Sequence, residues 1–514
     1  MSKKCLVLLF AIILTSCSVV GPDFAPPTTP TAQDWLVSQK DGVKAEPAEI
    51  RDWWKHLNDP ALDELIQKAY SQNLSLKTAG LRVLQAKATL AQSVGNLYPL
   101  QQRLDGNYVY NRFSEHASGV GTDTDLTQNQ LGLSVGWEID FWGKFRRAVE
   151  SQDAALLASA ASYDTVLVAL LGQVATSYIN VRTLEERIRI ARDNVTTQRK
   201  SSRIAQVRFN TGMTSERDYQ QALTQLHATE ASIPQLELAL QQTKNALSLL
   251  LGEAPGYVDQ ILAQSKSFIP NAPNELIVGI PSELIRRRPD IRAAEFNAAA
   301  QCAAIGVQEA ELYPAFSLSG SFGFLSTDAS PNKLKNVAEW KSHTATVGPS
   351  VQWNFFNYGQ ITNAIRVQDA AFQQALVDYE NTVRSAQREV EDGLVAFTKS
   401  QREVELRKLA VEAAQRTLNL VTVQYDTGAT DYTTVISAQQ SLLGEQDSLA
   451  KAKGAVPQAL VTVYSSLGGG WQIRENNDFV SDATKEQMRK RTDWGALLEP
   501  AKVEEAPSRT IPTW

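Results

Sequence analysis

The residue types that most often bind metals or act as nucleophiles are sparse in this chain and badly spaced for either task. Of its 514 residues only four are histidine, His56, His116, His227 and His343, scattered far from metal-ligand spacing. There is no G-x-S-x-G serine elbow, no Walker phosphate loop and no H-E-x-x-H pair. The chain is therefore not expected to be an enzyme or to hold a metal. What stands out instead is a pair of phrases, VRFNTGMT at 207–214 and VQYDTGAT at 423–430, 216 residues apart. Each interrupts a helical stretch. Each reads as a hairpin bend in which Gly212 or Gly428 takes the left-handed conformation that ends a helix.

One cysteine carries a second kind of chemistry. Lys3 and Lys4 precede an apolar run from Leu6 to Leu14, long enough for a signal-peptide core and too short to span a bilayer as a helix. The following LTSC resembles a bacterial lipoprotein box, in which Cys17 is acylated and becomes the first residue of the mature chain. Apart from that covalent lipid no cofactor is expected. Ser18 stands where, by resemblance to this class, an Asp would favour retention in the inner membrane, so the outer membrane is the expected destination. Cys5 leaves with residues 1–16 and Cys302, in AAAQCAAIG, reads as a small buried hydrophobe, so no intramolecular disulfide is available. Cleavage leaves 48 basic against 56 acidic residues, and no basic block points to nucleic acid. No further apolar stretch of eighteen residues is evident, so no transmembrane helix is expected.

The elements that position the two bends are written twice. NLYP at 96–99 matches ELYP at 311–314, GWEIDFWG at 136–143 matches QWNFFNYG at 352–359, and LLG at 250–252 matches SLG at 466–468, all offset by 215 or 216 residues. Residues 73–98 and 288–313 read as helices that end near Pro99 and Pro314. Strand patterns follow. Leu131, Leu133, Val135, Trp137, Ile139 and Phe141 alternate with small or polar residues, as do Phe316, Leu318, Phe322 and Phe324, and as do Val347, Val351, Trp353 and Phe355 around Pro349. The segment at 104–113 alternates less cleanly, and polar loops join the members of each pair, predicting two β-hairpins.

From Lys144 to Phe209 and from Gln360 to Tyr425 there is no proline and very little glycine. Continuous helix over such a span would reach roughly 100 Å, far beyond the needs of a globular core. Leu171, Val174, Tyr178, Val181, Ile188, Ala191 and Val195 recur at three- and four-residue steps, and Val390, Leu394, Phe397 and Val404 occupy positions that match Val174, Tyr178, Val181 and Ile188. That spacing predicts a coiled-coil seam. After each bend the helical pattern resumes, to Leu251 and Leu467.

Alternating strands of about ten residues suit an outer-membrane barrel; the edge of a soluble sandwich also alternates, but long helices of this kind do not belong in a sandwich. Four strands cannot close a barrel, and an open sheet would leave unpaired backbone groups in hydrocarbon. Several copies must share one barrel. Two would give a filled eight-stranded interior, whereas three give twelve strands and room for a lumen.

Taken together, CSVVGPDF after the signal, WWKHLNDPALDELIQKAYSQNLSL at 53–76, IPSELIRRRPDIRAAE at 280–295, the paired phrases and the two bends resemble a TolC-like outer-membrane factor. The likeness is to the lipoprotein branch (NodT/OprM-like) of tripartite efflux systems of the resistance-nodulation-division (RND) type. It implies a mainly α fold with membrane β structure: a homotrimer with a twelve-stranded outer-membrane barrel continued by a periplasmic α-helical barrel. It also implies a passive exit duct for drugs or other small molecules, joined to an inner-membrane RND transporter through a periplasmic adaptor, a membrane fusion protein. The expected organisation is a signal peptide (1–16), a lipid-anchored equatorial segment (17–72), a first repeat (73–252), a linker (253–287), a second repeat (288–468) and a C-terminal equatorial segment and tail (469–514). A duct for type I protein secretion and a periplasmic adaptor lipoprotein are the alternatives.

By the same resemblance, the bends carrying Thr211, Gly212, Thr427 and Gly428 are the tips that dock the adaptor. Relatives often place an Asp nine residues after the second glycine and an apolar residue five after it, at the periplasmic constriction. Here those positions hold Ser437 and Thr433, which puts the usual acidic ring in doubt. Asp431 is a replacement candidate, since a threefold ring of carboxylates would attract cations; the other reading is a solvated tip residue that helps start the returning helix. Tyr425 either plugs the aperture or fills the seam. Arg286, Arg287 and Arg288 read as a solvated or salt-bridged surface, and the tail beyond 472 as partly wrapped around the equator.

Overall fold

The computed structural model describes residues 19–28, 35–36, 43–44, 49–99, 101–114, 116, 125–265, 268–273, 275–279, 287–328, 337–475 and 477–499. The signal segment, Cys17, residues 280–286 and the tail beyond 499 lie outside the described residues.

Local chemistry starts the first two helices. Helix α1 (Pro60–Gln72) has Pro at its first position and Asp59 as N-cap, whose carboxylate accepts from the Ala61 amide at 3.0 Å. Asn73 caps α2 (Leu74–Gly95) by accepting from the Leu76 amide at 2.8 Å. Strands β1 (Gln101–Arg112) and β2 (Asp125–Ile139) form the first hairpin. Helix α3 (Lys144–Asn210) then runs unbroken for 67 residues and returns as α4 (Glu216–Leu250). After the short α5 (Tyr257–Ala263), α6 (Pro289–Glu309) enters on Pro289, and the sequence of elements repeats. Strands β3 (Ala315–Thr327) and β4 (His343–Gln352) are followed by α7 (Gln360–Asp426), again 67 residues, and α8 (Tyr432–Ser466). A last helix, α9 (Asp482–Arg489), lies in the tail.

The seam residues expected on α3, Leu171, Val174, Tyr178, Val181, Ile188, Ala191 and Val195, are all buried, as are Val390, Leu394 and Phe397 on α7; Val404 is half-buried. The two helical hairpins meet where α3 and α8 cross, and Gly454 of α8 lies against Thr183 of α3 with no room for a Cβ. Arg187 of α3 donates to Asp447 of α8 at 2.6 Å, tying the same pair. The largest hydrophobic cluster includes Trp53, Trp54 and Leu57, and the Trp53 ring stacks on Tyr464 of α8 at 5.9 Å.

The four strands form one antiparallel sheet in the order β1-β2-β3-β4, so the two predicted hairpins are joined edge to edge. Gly132 and Gly323 face each other at the join; a Cβ on Gly323 would lie 2.6 Å from the Gly132 Cα. Pro349 sits on β4, an edge strand within the chain, where a missing amide is tolerated.

Three expectations need correction. Phe141, Trp353 and Phe355 lie beyond the ends of β2 and β4, because the backbone there turns toward the long helices. One stretch of α3 is long and apolar enough to cross a bilayer, although none was expected; 61% of it is buried inside the chain, as in a core helix whose Ala and Leu pack against neighbours. Arg288 is salt-bridged, as one of the two readings had it, but it is not at the surface: its guanidinium is buried and donates to Asp290, Glu389 at 2.8 Å and the Ser466 carbonyl at 2.7 Å, joining α6, α7 and α8. The tail does pack on the body. Arg474 donates to Asp164 at 2.5 and 3.0 Å, and Lys87 of α2 donates to the carbonyls of Leu497 and Glu499.

Candidate functional site

Strand register sorts the sheet into two faces. One carries Leu104, Leu133, Phe322 and Ala345 in one row and Leu131, Phe324 and His343 in the next. Leu104 and Val347 on this face are 75% and 81% exposed, with no protein neighbour to cover them. The other face carries Arg103, Ser134, Ser321 and Thr346 in one row and Asp105, Gly132, Gly323 and Thr344 in the next. A sheet apolar outside and lined with small polar residues inside is suited to bound an aqueous lumen in lipid.

At one end of the sheet an aromatic collar joins it to the helices. The Trp137 indole donates to the Leu97 carbonyl at 3.1 Å, and Trp353, its counterpart 216 residues on, donates to the Leu312 carbonyl at 2.9 Å. Each bond ties a strand end to the backbone just past the helix that leads into the sheet. Trp142 donates to the Pro314 carbonyl at 2.9 Å and stacks on Tyr313 at 4.6 Å, linking the two repeats. Lys144, at the start of α3, pairs with Glu311 at 2.6 Å and Glu138 at 3.6 Å.

At the far end the two bends are built alike. Gly212 and Gly428 have φ of 75° and 79°. The Met213 amide reaches back to the Arg208 carbonyl and the Ala429 amide to the Gln424 carbonyl, both at 2.8 Å, closing the helix ends. Thr211 and Thr427 donate their hydroxyls to the Val207 and Val423 carbonyls. Nothing lies within 4 Å of a Cβ built on Gly212, so glycine is required there by backbone angle alone. Thr211, Gly212, Thr427 and Gly428 are all exposed.

The structure brings the two bends together through a contact the sequence reading missed. Arg208 of α3 donates to the Tyr425 carbonyl at the end of α7, and its guanidinium lies 4.6 Å from the Tyr425 ring centroid. Tyr425 is buried edge-on to Tyr432, whose hydroxyl donates to Ser201 at 3.1 Å. Tyr425 therefore fills the seam within the chain. Burial holds its phenol above the ordinary range, with Arg208 opposing, so it is neutral at physiological pH. The available signal was a break in the repeat: Arg208 corresponds to Gln424, and a cation present in only one copy points to a contact between copies.

Asp431 is the N-cap of α8, accepting from the Thr434 amide at 3.1 Å and hydroxyl at 2.9 Å. Those two donors, the hydroxyl first, hold its carboxyl below the usual range. The first bend places its acid differently. Ser215 is the N-cap of α4, and Asp218, three residues on and matching Thr434, is buried and accepts from Thr214 at 2.5 Å. Thr433 and Ser437 are exposed on α8, and Ser437 donates to the Thr433 carbonyl. Among the described residues no group of three or more His, Cys, Asp or Glu could hold a metal ion. Cys302 is buried.

Comparison with known proteins agrees with this geometry. The family model described as "Outer membrane efflux protein" matches residues 65–253 and 280–469, one match per repeat. Nodulation protein T of Rhizobium leguminosarum bv. trifolii is 30% identical over 467 residues, covering 90% of this chain and 96% of that protein. The pyoverdine export outer membrane protein OpmQ of Pseudomonas putida is 30% identical over 476 residues, covering 91% and 97%. Among solved structures, the outer-membrane channel OprN is 30% identical with a TM-score of 0.80, covering 88% of this chain and 99% of that one. The Campylobacter jejuni CmeC outer membrane channel shares the fold at a TM-score of 0.80, with 21% identity.

Proposed function

The chain belongs to the outer membrane efflux protein family, and on that footing we propose that three copies assemble into one continuous duct from periplasm to exterior. It is an outer-membrane efflux channel, as its relatives are. The observation that carries the trimer reading is the sheet itself. Four strands leave β1 and β4 each with an unpaired edge, flanked by an apolar face, and each unpaired buried backbone group would cost several kcal/mol in lipid. Three copies supply twelve strands, enough to close around a lumen lined by the Ser, Gly and Thr face. The 67-residue helices continue the wall by roughly 100 Å into the periplasm.

In this reading the duct is passive and conducts small molecules. An inner-membrane RND transporter drives them, and a periplasmic adaptor docks at the exposed tips of Thr211, Gly212, Thr427 and Gly428. The ends of the long helices form the gate. Arg208 and Tyr425 tie the two hairpins of one subunit; Asp431, Thr433 and Ser437 present hydroxyls and a carboxylate near the tip. Cys17 carries the lipid that holds the N-terminus at the outer membrane. Reconstitution in a planar bilayer tests the duct: the protein extracted from outer membranes should give discrete conductance steps with low open probability, and a failure to conduct under any condition would contradict it. Labelled palmitate tests the anchor. Label should be lost in Cys17→Ala, and its retention in that variant would contradict acylation at Cys17.

A further inference from the structure

The segment after the acylation site is seated in a groove built from both repeats. The Val20 amide donates to the Trp142 carbonyl at 3.0 Å. Arg147, in the first turn of α3 and only 5% exposed in its side chain, donates through Nε to the Val20 carbonyl at 3.1 Å. One of its terminal nitrogens donates to the Gly21 carbonyl at 3.0 Å and to Asp23 at 2.9 Å, and the other to Glu150 at 2.7 Å. The opposite wall is α6, where the Cys302 thiol lies 3.6 Å from the Pro22 carbonyl. Glycines make the fit possible. A Cβ on Gly306 of α6 would lie 2.7 Å from the Val20 carbonyl oxygen, and one on Gly143 would lie 2.6 Å from Val19. Gly21 itself has φ of 92° and packs its Cα side directly on Gly306.

These contacts do more than tether a loose end. Without the strap, a buried guanidinium would keep Glu150 but lose three other hydrogen bonds, which burial makes costly. We propose that this groove is a docking site for the chain's own acylated N-terminus, with Arg147 as the positioning residue, and that it holds the lipid beside the aromatic collar instead of on a slack tether. Two peptide units separate Cys17 from Val19, at most about 7 Å of chain. The acyl chains would thus enter the bilayer near Trp142 and its stacking partner Tyr313, where the sheet meets the helices. The strap also bridges α3 of the first repeat and α6 of the second, so docking can occur only after the two repeats have packed.

The proposal rests on acylation of Cys17, and the experiment separates the two. With Cys17 blocked by lipid, Cys302 is the one free thiol of the mature chain, and the strap covers it. Maleimide modification of the outer-membrane protein, assigned by peptide mass, should be slow in the wild type. It should be at least tenfold faster in Gly21→Ala, which alters only the strap and obstructs its seat on Gly306. Asp23→Asn, which keeps an acceptor for Arg147 but removes the charge of the ion pair, should give a smaller acceleration. Palmitate labelling, helical circular dichroism and trimer migration should match the wild type in both variants. Equal protection of Cys302 in wild type and Gly21→Ala would overturn the docking groove. A protected Cys302 alongside an unlabelled Cys17 would overturn the lipid-positioning claim through its premise and leave the strap contacts standing.

Discussion

Replacing Arg208 with alanine should release the link between the two hairpins of each subunit and raise the channel's resting open probability. Two interactions are lost: a charged hydrogen bond to the Tyr425 carbonyl and the stacking of the guanidinium on the Tyr425 ring. A hydrogen bond to a charged group contributes about 1.5–3 kcal/mol when well buried, and a cation over an aromatic face about 0.5–1 kcal/mol at exposed sites. Because Arg208 is only half-buried, the lower end applies, and about 2 kcal/mol per subunit is a reasonable sum. That corresponds to about a thirtyfold shift toward the parted state for each tip, and more if the three tips move together. Single-channel recording in planar bilayers reads the effect directly. Arg208→Lys, which keeps the charge but loses the planar stack, should fall between wild type and Arg208→Ala. Tyr425→Phe, which retains the ring and the carbonyl, should stay within about twofold of wild type. An Arg208→Ala channel that also stays within about twofold, while migrating as an intact trimer, would refute the idea that this contact holds the gate.

Other consequences are as specific. Asp431→Asn should preserve the helix cap, since Asn caps nearly as well as Asp, while removing the charge; an unchanged cation-to-anion permeability ratio would assign Asp431 to the cap, and a clear fall would assign it to a selectivity ring. Its folded-state carboxyl is held below the ordinary value, so its contribution is present above the ordinary carboxylate range and is lost as pH falls through the lowered value. Tip order followed by spin label should therefore be flat from pH 7 to 5 and loosen only in strong acid. Arg474→Ala leaves the buried Asp164 without its partner, at a cost of about 3 kcal/mol, and should expose the tail to trypsin near residues 485–491 before the helices are cut. Trp353→Phe removes the indole bond to Leu312 and should lower the heat resistance of the assembly by about 1 kcal/mol per subunit, with Trp137→Phe doing the same at the matching site.

The long elements were legible because their signals are repetitive. The absence of proline between Lys144 and Phe209, and again between Gln360 and Tyr425, predicted the two 67-residue helices to within a residue or two, and Asn/Asp-Thr-Gly placed both bends. Strand alternation gave the register faces but not the strand ends. Trp353 continues the alternation in sequence, yet it lies just past β4, where its indole serves the Leu312 carbonyl; nothing in a two-residue period encodes a bond to backbone 41 residues away. The burial of Arg288 was hidden for the same reason, although its salt bridges were one of the two expectations. Three adjacent arginines look like a solvated or salt-bridged surface until α7 and α8 bring Glu389 and the Ser466 carbonyl to the third of them and bury it. The tie between Arg208 and Tyr425 was hidden because the repeat was read for its matches, whereas the contact depends on a mismatch.

Native mass spectrometry of the protein extracted from outer membranes in mild detergent tests the shared-barrel claim most directly. The account predicts a complex of three identical chains, each supplying four strands to one closed cylinder. A single chain, or a stable pair, as the sole species that retains channel activity would contradict it.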